Sequence, residues 1–65
     1  MRNPESVYIN LGYLFEKASD PRRVQEVHWE IRAKLAQEDT EEDKAEARRL
    51  VERGRQEARS EWRRR

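Results

Sequence analysis

The chain has no cysteine and a single histidine, His28. The first absence closes the disulfide route to stabilising a small domain, and the second removes the multi-ligand zinc site that small domains use in its place. No stretch approaches the roughly 18–20 apolar residues needed to span a bilayer, and the N-terminus lacks the basic-then-apolar order of a signal peptide. Neither a membrane span nor a targeting segment is therefore expected. No nucleophile with an adjacent base, carboxylate pair in a cleft or set of metal ligands stands out, so no cofactor, small-molecule substrate or enzymatic activity is expected.

What the sequence does have is charge. Apolar residues make up 34% of the 65 positions and charged residues 45%, with 15 Lys+Arg against 14 Asp+Glu. Below about 70–80 residues a single hydrophobic core rarely supplies more than roughly 3–5 kcal/mol, and regular helix packing is the remaining means of support. A compact chain of this mass would expose roughly 4,400 Å². The near-neutral total hides a segregation: Gln37 to Glu46 contains six acids and one base, whereas Ala47 to Arg65 contains eight arginines and three glutamates.

Three start signals predict three helices. Asn3 before Pro4 and Asp20 before Pro21 each pair a capping side chain with a proline whose fixed φ suits the first helical position. Thr40 with Asp43 three residues on is a variant of the capping box, and Glu41 and Glu42 add first-turn acids that complement the helix dipole. The spans are about 4–18, 21–38 and 41–63, and connections as short as Ser19-Asp20 and Asp39-Thr40 make successive helices antiparallel neighbours. The expected architecture is a single all-α domain over residues 1–65, an up-down-up three-helix bundle. Its core stripes would be Val7, Leu11, Leu14 and Ala18 on the first helix, flanked by Tyr8 and Phe15, and Val24, Val27, Ile31 and Leu35 on the second. The third offers Ala47, Leu50, Val51, Gly54 and Ala58, ending at Trp62, a stripe dominated by small residues that receive bulk from their neighbours. Level counting places Tyr8 beside Ala47 and Phe15 beside Gly54.

The opposite faces carry a surplus of large apolar residues. With Leu11 as zero, Ile9 and Tyr13 fall at about 160° and −160°, pointing away from the core. With Ile31 as zero, Trp29, Ala33 and Ala36 fall at about 160°, −160° and 140°. An interior helical glycine costs roughly 0.8–1 kcal/mol relative to Ala, so Gly12 implies close approach of another backbone, from a partner or a neighbouring helix. These positions suggest a partner-binding face on the first two helices. Ile9, Tyr13 and Trp29 would be its anchors, Gly12, Ala33 and Ala36 its close-contact positions, and Asn10, Glu16, Gln25 and Arg32 its polar rim.

His28 has Val24, Ile31 and Arg32 one turn away, none of which orients an imidazole for catalysis, and it is read as a core-edge or interface residue. The arginines of the third helix raise a nucleic-acid reading, with Trp62 as a stacking platform. Spacing argues against it: Arg48–Glu52, Arg53–Glu57 and Glu61–Arg65 at i,i+4 and Glu52–Arg55 at i,i+3 compensate much of the charge along the helix. Arg63-Arg64-Arg65 reads as a frayed, solvated tail.

The chain resembles a computationally designed three-helix mini-binder. The likeness rests on the Ser19-Asp20-Pro21 and Asp39-Thr40-Glu41-Glu42-Asp43 connections, the absence of cysteine, the lone Met1 and a third helix filled with Arg, Glu and Ala. Gly12 and Gly54 inside helices depart from the idealised pattern. The resemblance implies a rigid bundle that is monomeric when unbound and presents a helix face to one target protein, a cell-surface receptor or viral surface protein. An alternative is an oligomerisation element that closes the same face on its own copy.

Overall fold

A computed structural model describes residues 1–63; the Glu61–Arg65 pair and the last two residues of the arginine tail lie outside the described residues. Three helices run α1 (Glu5–Lys17), α2 (Pro21–Ala36) and α3 (Glu41–Arg63), with no strand among the described residues. The architecture is the all-α, up-down-up three-helix bundle, so α1 and α3 run in the same direction. Among the described residues no helix is long and apolar enough to cross a membrane.

The caps explain two of the three helix starts. The Asp20 carboxylate accepts a hydrogen bond from the Arg22 amide at 2.9 Å, with Pro21 at the first helical position. The Thr40 hydroxyl accepts one from the Asp43 amide at 3.0 Å. The first start differs from expectation: α1 begins one residue later, and Pro4 occupies the cap position without a side-chain hydrogen bond. Asn3 does not cap because its amide is drawn across the fold, donating to Gln37 Oε1 at 3.1 Å and to Tyr8 Oη at 3.2 Å. The second helix stops two residues short of the expected end. The Gln37 and Glu38 amides close tight turns onto the Lys34 and Leu35 carbonyls, and the chain then carries Glu38 inward.

The main correction concerns which face of α1 is free. Ile9 and Tyr13, expected to point outward, face α3, and Gly12 is buried against it. The two helical glycines form the seam. A β-carbon on Gly12 would overlap the Val51 carbonyl, and one on Gly54 would overlap the Ile9 carbonyl and lie 2.8 Å from the Tyr13 nitrogen. Only residues without side chains allow two helix backbones so close. α1 therefore buries two faces, one against α2 and one against α3, and lies between them.

The inner cluster is Tyr8, Ala47 and Leu50, with Ile9, Leu35 and Val51 packed on it, so Tyr8 does lie with Ala47. The atoms nearest Gly54 are those of Ile9 and Tyr13, while Phe15 meets Arg55 and His28, on the flank of α1 that opens between α2 and α3. Trp62, expected to end the core stripe of α3, is instead 66% exposed, because α1 ends at Lys17 and leaves the last turn of α3 little to pack on. While α1 packs along much of α3, α2 meets α3 over a small area. The molecule measures 39 × 24 × 15 Å, a flattened cross-section, and its 4960 Å² of accessible surface exceeds the compact-chain expectation.

Candidate binding face

Where α2 and α3 diverge, a row of side chains crosses the molecule. Phe15 is its floor. The Arg55 guanidinium of α3 lies 5.1 Å from the Phe15 ring centroid, and the His28 ring of α2 lies 6.5 Å from it on the other side. His28 meets the edge of Trp29 at 6.4 Å, and Arg32 reaches back over the Trp29 ring at 5.6 Å. Three rings thus run in sequence with a guanidinium at each end. Each guanidinium–ring contact uses the negative face of the aromatic system.

Beside this row lies an open groove of about 420 Å³, lined by Phe15, Ser19, Pro21, Val24, Gln25 and His28 and predominantly apolar. Helical spacing accounts for it. Pro21, Val24, Gln25 and His28 occupy one flank of α2 at intervals of three and four residues, and Arg32 continues that stripe. Trp29 is 58% exposed, with Ala33 and Ala36 also exposed on its helix. Small neighbours leave the indole accessible.

The structure divides the sequence-derived site residues into two groups. Gln25, Trp29, Arg32, Ala33 and Ala36 all lie exposed on α2, and Asn10 is exposed on α1. Gly12 is buried against α3, and Ile9 and Tyr13 are half-buried there, lining with Ser6, Asn10 and Glu57 a shallow open pocket on the far side of the α1–α3 seam. The Tyr13 hydroxyl donates to Glu61 at 2.5 Å, and Lys17 pairs with the same carboxylate at 2.9 Å. That hydrogen bond pushes the Tyr13 pKa up. Glu16 is also committed internally. Its carboxylate receives Arg55 at 3.0 Å and Arg59 at 3.3 Å, and the Arg55 hydrogen bond leads in holding its pKa below the ordinary value.

Charge pairing on α3 follows the sequence in part. Arg53–Glu57 and Glu52–Arg55 form at 3.6 Å each. Glu52 turns to Arg55 and Arg59 rather than to Arg48, so Arg48 has no ion pair among the described residues. Arg32 likewise has a ring for a neighbour and no ion pair among those residues.

Sequence reasoning missed Glu38 and Phe15. Glu38 is 3% exposed and accepts from the Arg2 amide at 2.8 Å, the Asn3 amide at 3.3 Å and the Tyr8 hydroxyl. The Tyr8 hydrogen bond leads in lowering its pKa to about 2, while burial pushes the Tyr8 hydroxyl up. Its local sequence, an acid in an acidic turn, gives no sign of this burial. Phe15 flanks the core stripe of α1, and its angle suits that edge; that it stays half-buried between His28 and Arg55 follows from the spread of α2 and α3, which no single-helix pattern encodes. Among the described residues no group of His, Cys, Asp or Glu side chains could hold a metal ion. Comparison with known proteins finds no matching family, no matching curated protein and no matching solved structure.

Proposed function

We propose that the chain is a non-enzymatic protein-binding module, of the kind that designed three-helix mini-binders exemplify, whose partner-facing surface centres on α2. The observation that carries this reading is Trp29, 58% exposed on a helix whose adjoining positions are alanines and an apolar groove. An exposed indole with small neighbours is the composition of an interface anchor, because it offers large rigid area at low entropic cost. The α1 half of the surface inferred from sequence is left out of this proposal, since Gly12 is buried against α3 and Ile9 and Tyr13 are half-buried there. A standard partner face of about 800 Å² would use roughly a sixth of the 4960 Å² surface. The free chain is monomeric in this reading, and its target is an extracellular receptor or viral surface protein.

The test is an array of purified extracellular and viral surface proteins probed in parallel with the full chain and with Trp29→Ala. Specific binding should weaken by about 2 kcal/mol or more in the variant while its helical circular-dichroism melt stays unchanged. A melt that collapses together with binding would make Trp29 a structural residue and remove the proposal.

A further inference from the structure

We infer that the notch between α2 and α3 receives a helix from the partner protein, one with an apolar inner stripe and carboxylates along its flanks. This rests on the protein-binding reading and names the class of partner. Three observations lead to it.

The first is shape. α1 lies between the other two helices, α2 hardly touches α3, and Phe15 is approached from both walls, by His28 and by Arg55. An apolar groove of about 420 Å³ runs along the α1–α2 side of that notch. A fourth helix laid over it would insert apolar side chains between Phe15, Val24 and His28, as ridges enter grooves in helix packing. The second observation is the arrangement of charge on α2. Its acids Glu26 and Glu30 lie on the flank away from the groove and pair there with Arg23 and Lys34. The groove flank instead carries Arg32. On α3, Arg48 and Arg55 lie seven residues apart on the flank facing the notch. Glu16 and Glu52 compensate Arg55 and Arg59. Arg32 and Arg48, exposed and without an ion pair among the described residues, then stand one on each wall. Carboxylates spaced along both flanks of an entering helix would meet them. The third observation decides against a second copy of this chain. A twofold contact through the notch would bring Arg32 and Arg48 of both copies, four cations without ion pairs of their own, into one desolvating interface, and that concentration of like charge opposes association.

The test uses three helical peptides and the full chain. Two share a leucine stripe at i, i+3, i+4 and i+7 and differ in carrying glutamate or lysine on their flanks; the third keeps the glutamates and replaces the leucines with serine. Titrations followed by amide chemical shifts at low salt should show the leucine–glutamate peptide binding at least about tenfold tighter than either of the others. The largest shifts should fall at Val24, His28 and Arg32. The double variant Arg32→Glu/Arg48→Glu, at two exposed positions free of ion pairs among the described residues, should reverse the preference between glutamate and lysine peptides with its melt unchanged. Equal binding of the glutamate and lysine peptides overturns the inference. So does equal binding of the serine peptide, which would mean a diffuse attraction for polyanions, and so does sedimentation of the free chain as a dimer that Val24→Lys disrupts. If a partner from the array loses affinity on Trp29→Ala while the peptides show no glutamate preference, the protein-binding reading stands and the acidic-helix inference falls.

Discussion

A methyl group on either helical glycine has nowhere to go. The atoms it would meet at Gly12 and Gly54 are backbone atoms of the facing helix, which cannot rotate aside as a flexible side chain can. Gly12→Ala should gain roughly 0.8–1 kcal/mol in helix propensity and lose more than that to overpacking, which typically costs 1–3 kcal/mol and more when backbone must move. The expected outcome is net destabilisation of at least about 1 kcal/mol for Gly12→Ala and again for Gly54→Ala, read from urea unfolding at the helical circular-dichroism band. Stabilisation by either alanine would place the α1–α3 seam wider than described. The glycines also carried the one sequence signal that α1 has a second buried face. A helix reading Val7-Tyr8-Ile9-Asn10-Leu11-Gly12-Tyr13-Leu14-Phe15 is apolar over most of its circumference. Choosing one stripe as core therefore forces the rest to look exposed, and Ile9 and Tyr13 were misplaced for that reason.

At the scale of elements the three helices are unequal. α1 and α3 share a tight seam, whereas α2 has only Val27 buried, with Val24, Ile31 and Leu35 half-covered. Native-state amide exchange should therefore show the amides of α2 opening at lower free energy than those around Leu11, Leu50 and Gly54. Asp20→Ala, which removes the cap of α2, should cost about 1 kcal/mol and speed exchange in α2 selectively. Uniform protection across all three helices would contradict this ranking. Helix starts and connections were legible because they are written locally, in Asp20-Pro21 and in Thr40 through Asp43. The spread between α2 and α3 was not, because it depends on how closely α1 and α3 approach. That distance fixes how far Arg55 lies from His28, and hence whether Phe15 is covered or becomes the floor of a notch.

The whole molecule is closed at one end by Glu38. Its carboxylate joins the N-terminal segment through Arg2 and Asn3, α1 through Tyr8, and the α2–α3 turn to which it belongs. These donors favour the ionised form, so the folded-state pKa is depressed to about 2 from an ordinary 4.5. A depressed carboxylate contributes stability that is fully present above its unfolded pKa and is lost as pH falls toward the folded one. Glu16, lowered by Arg55, acts in the same direction. The melting temperature should therefore fall as pH drops from about 4.5 toward 2. In Glu38→Gln, which cannot titrate, the neutral-pH melting temperature should be lower and the acid slope shallower. Parallel slopes in the two proteins would assign the acid sensitivity to other carboxylates. Because Glu38 is buried and is not among the side chains that line the notch, Glu38→Gln at neutral pH should weaken folding without altering the preference for glutamate-flanked peptides. Stability and recognition are thereby separable within one bundle.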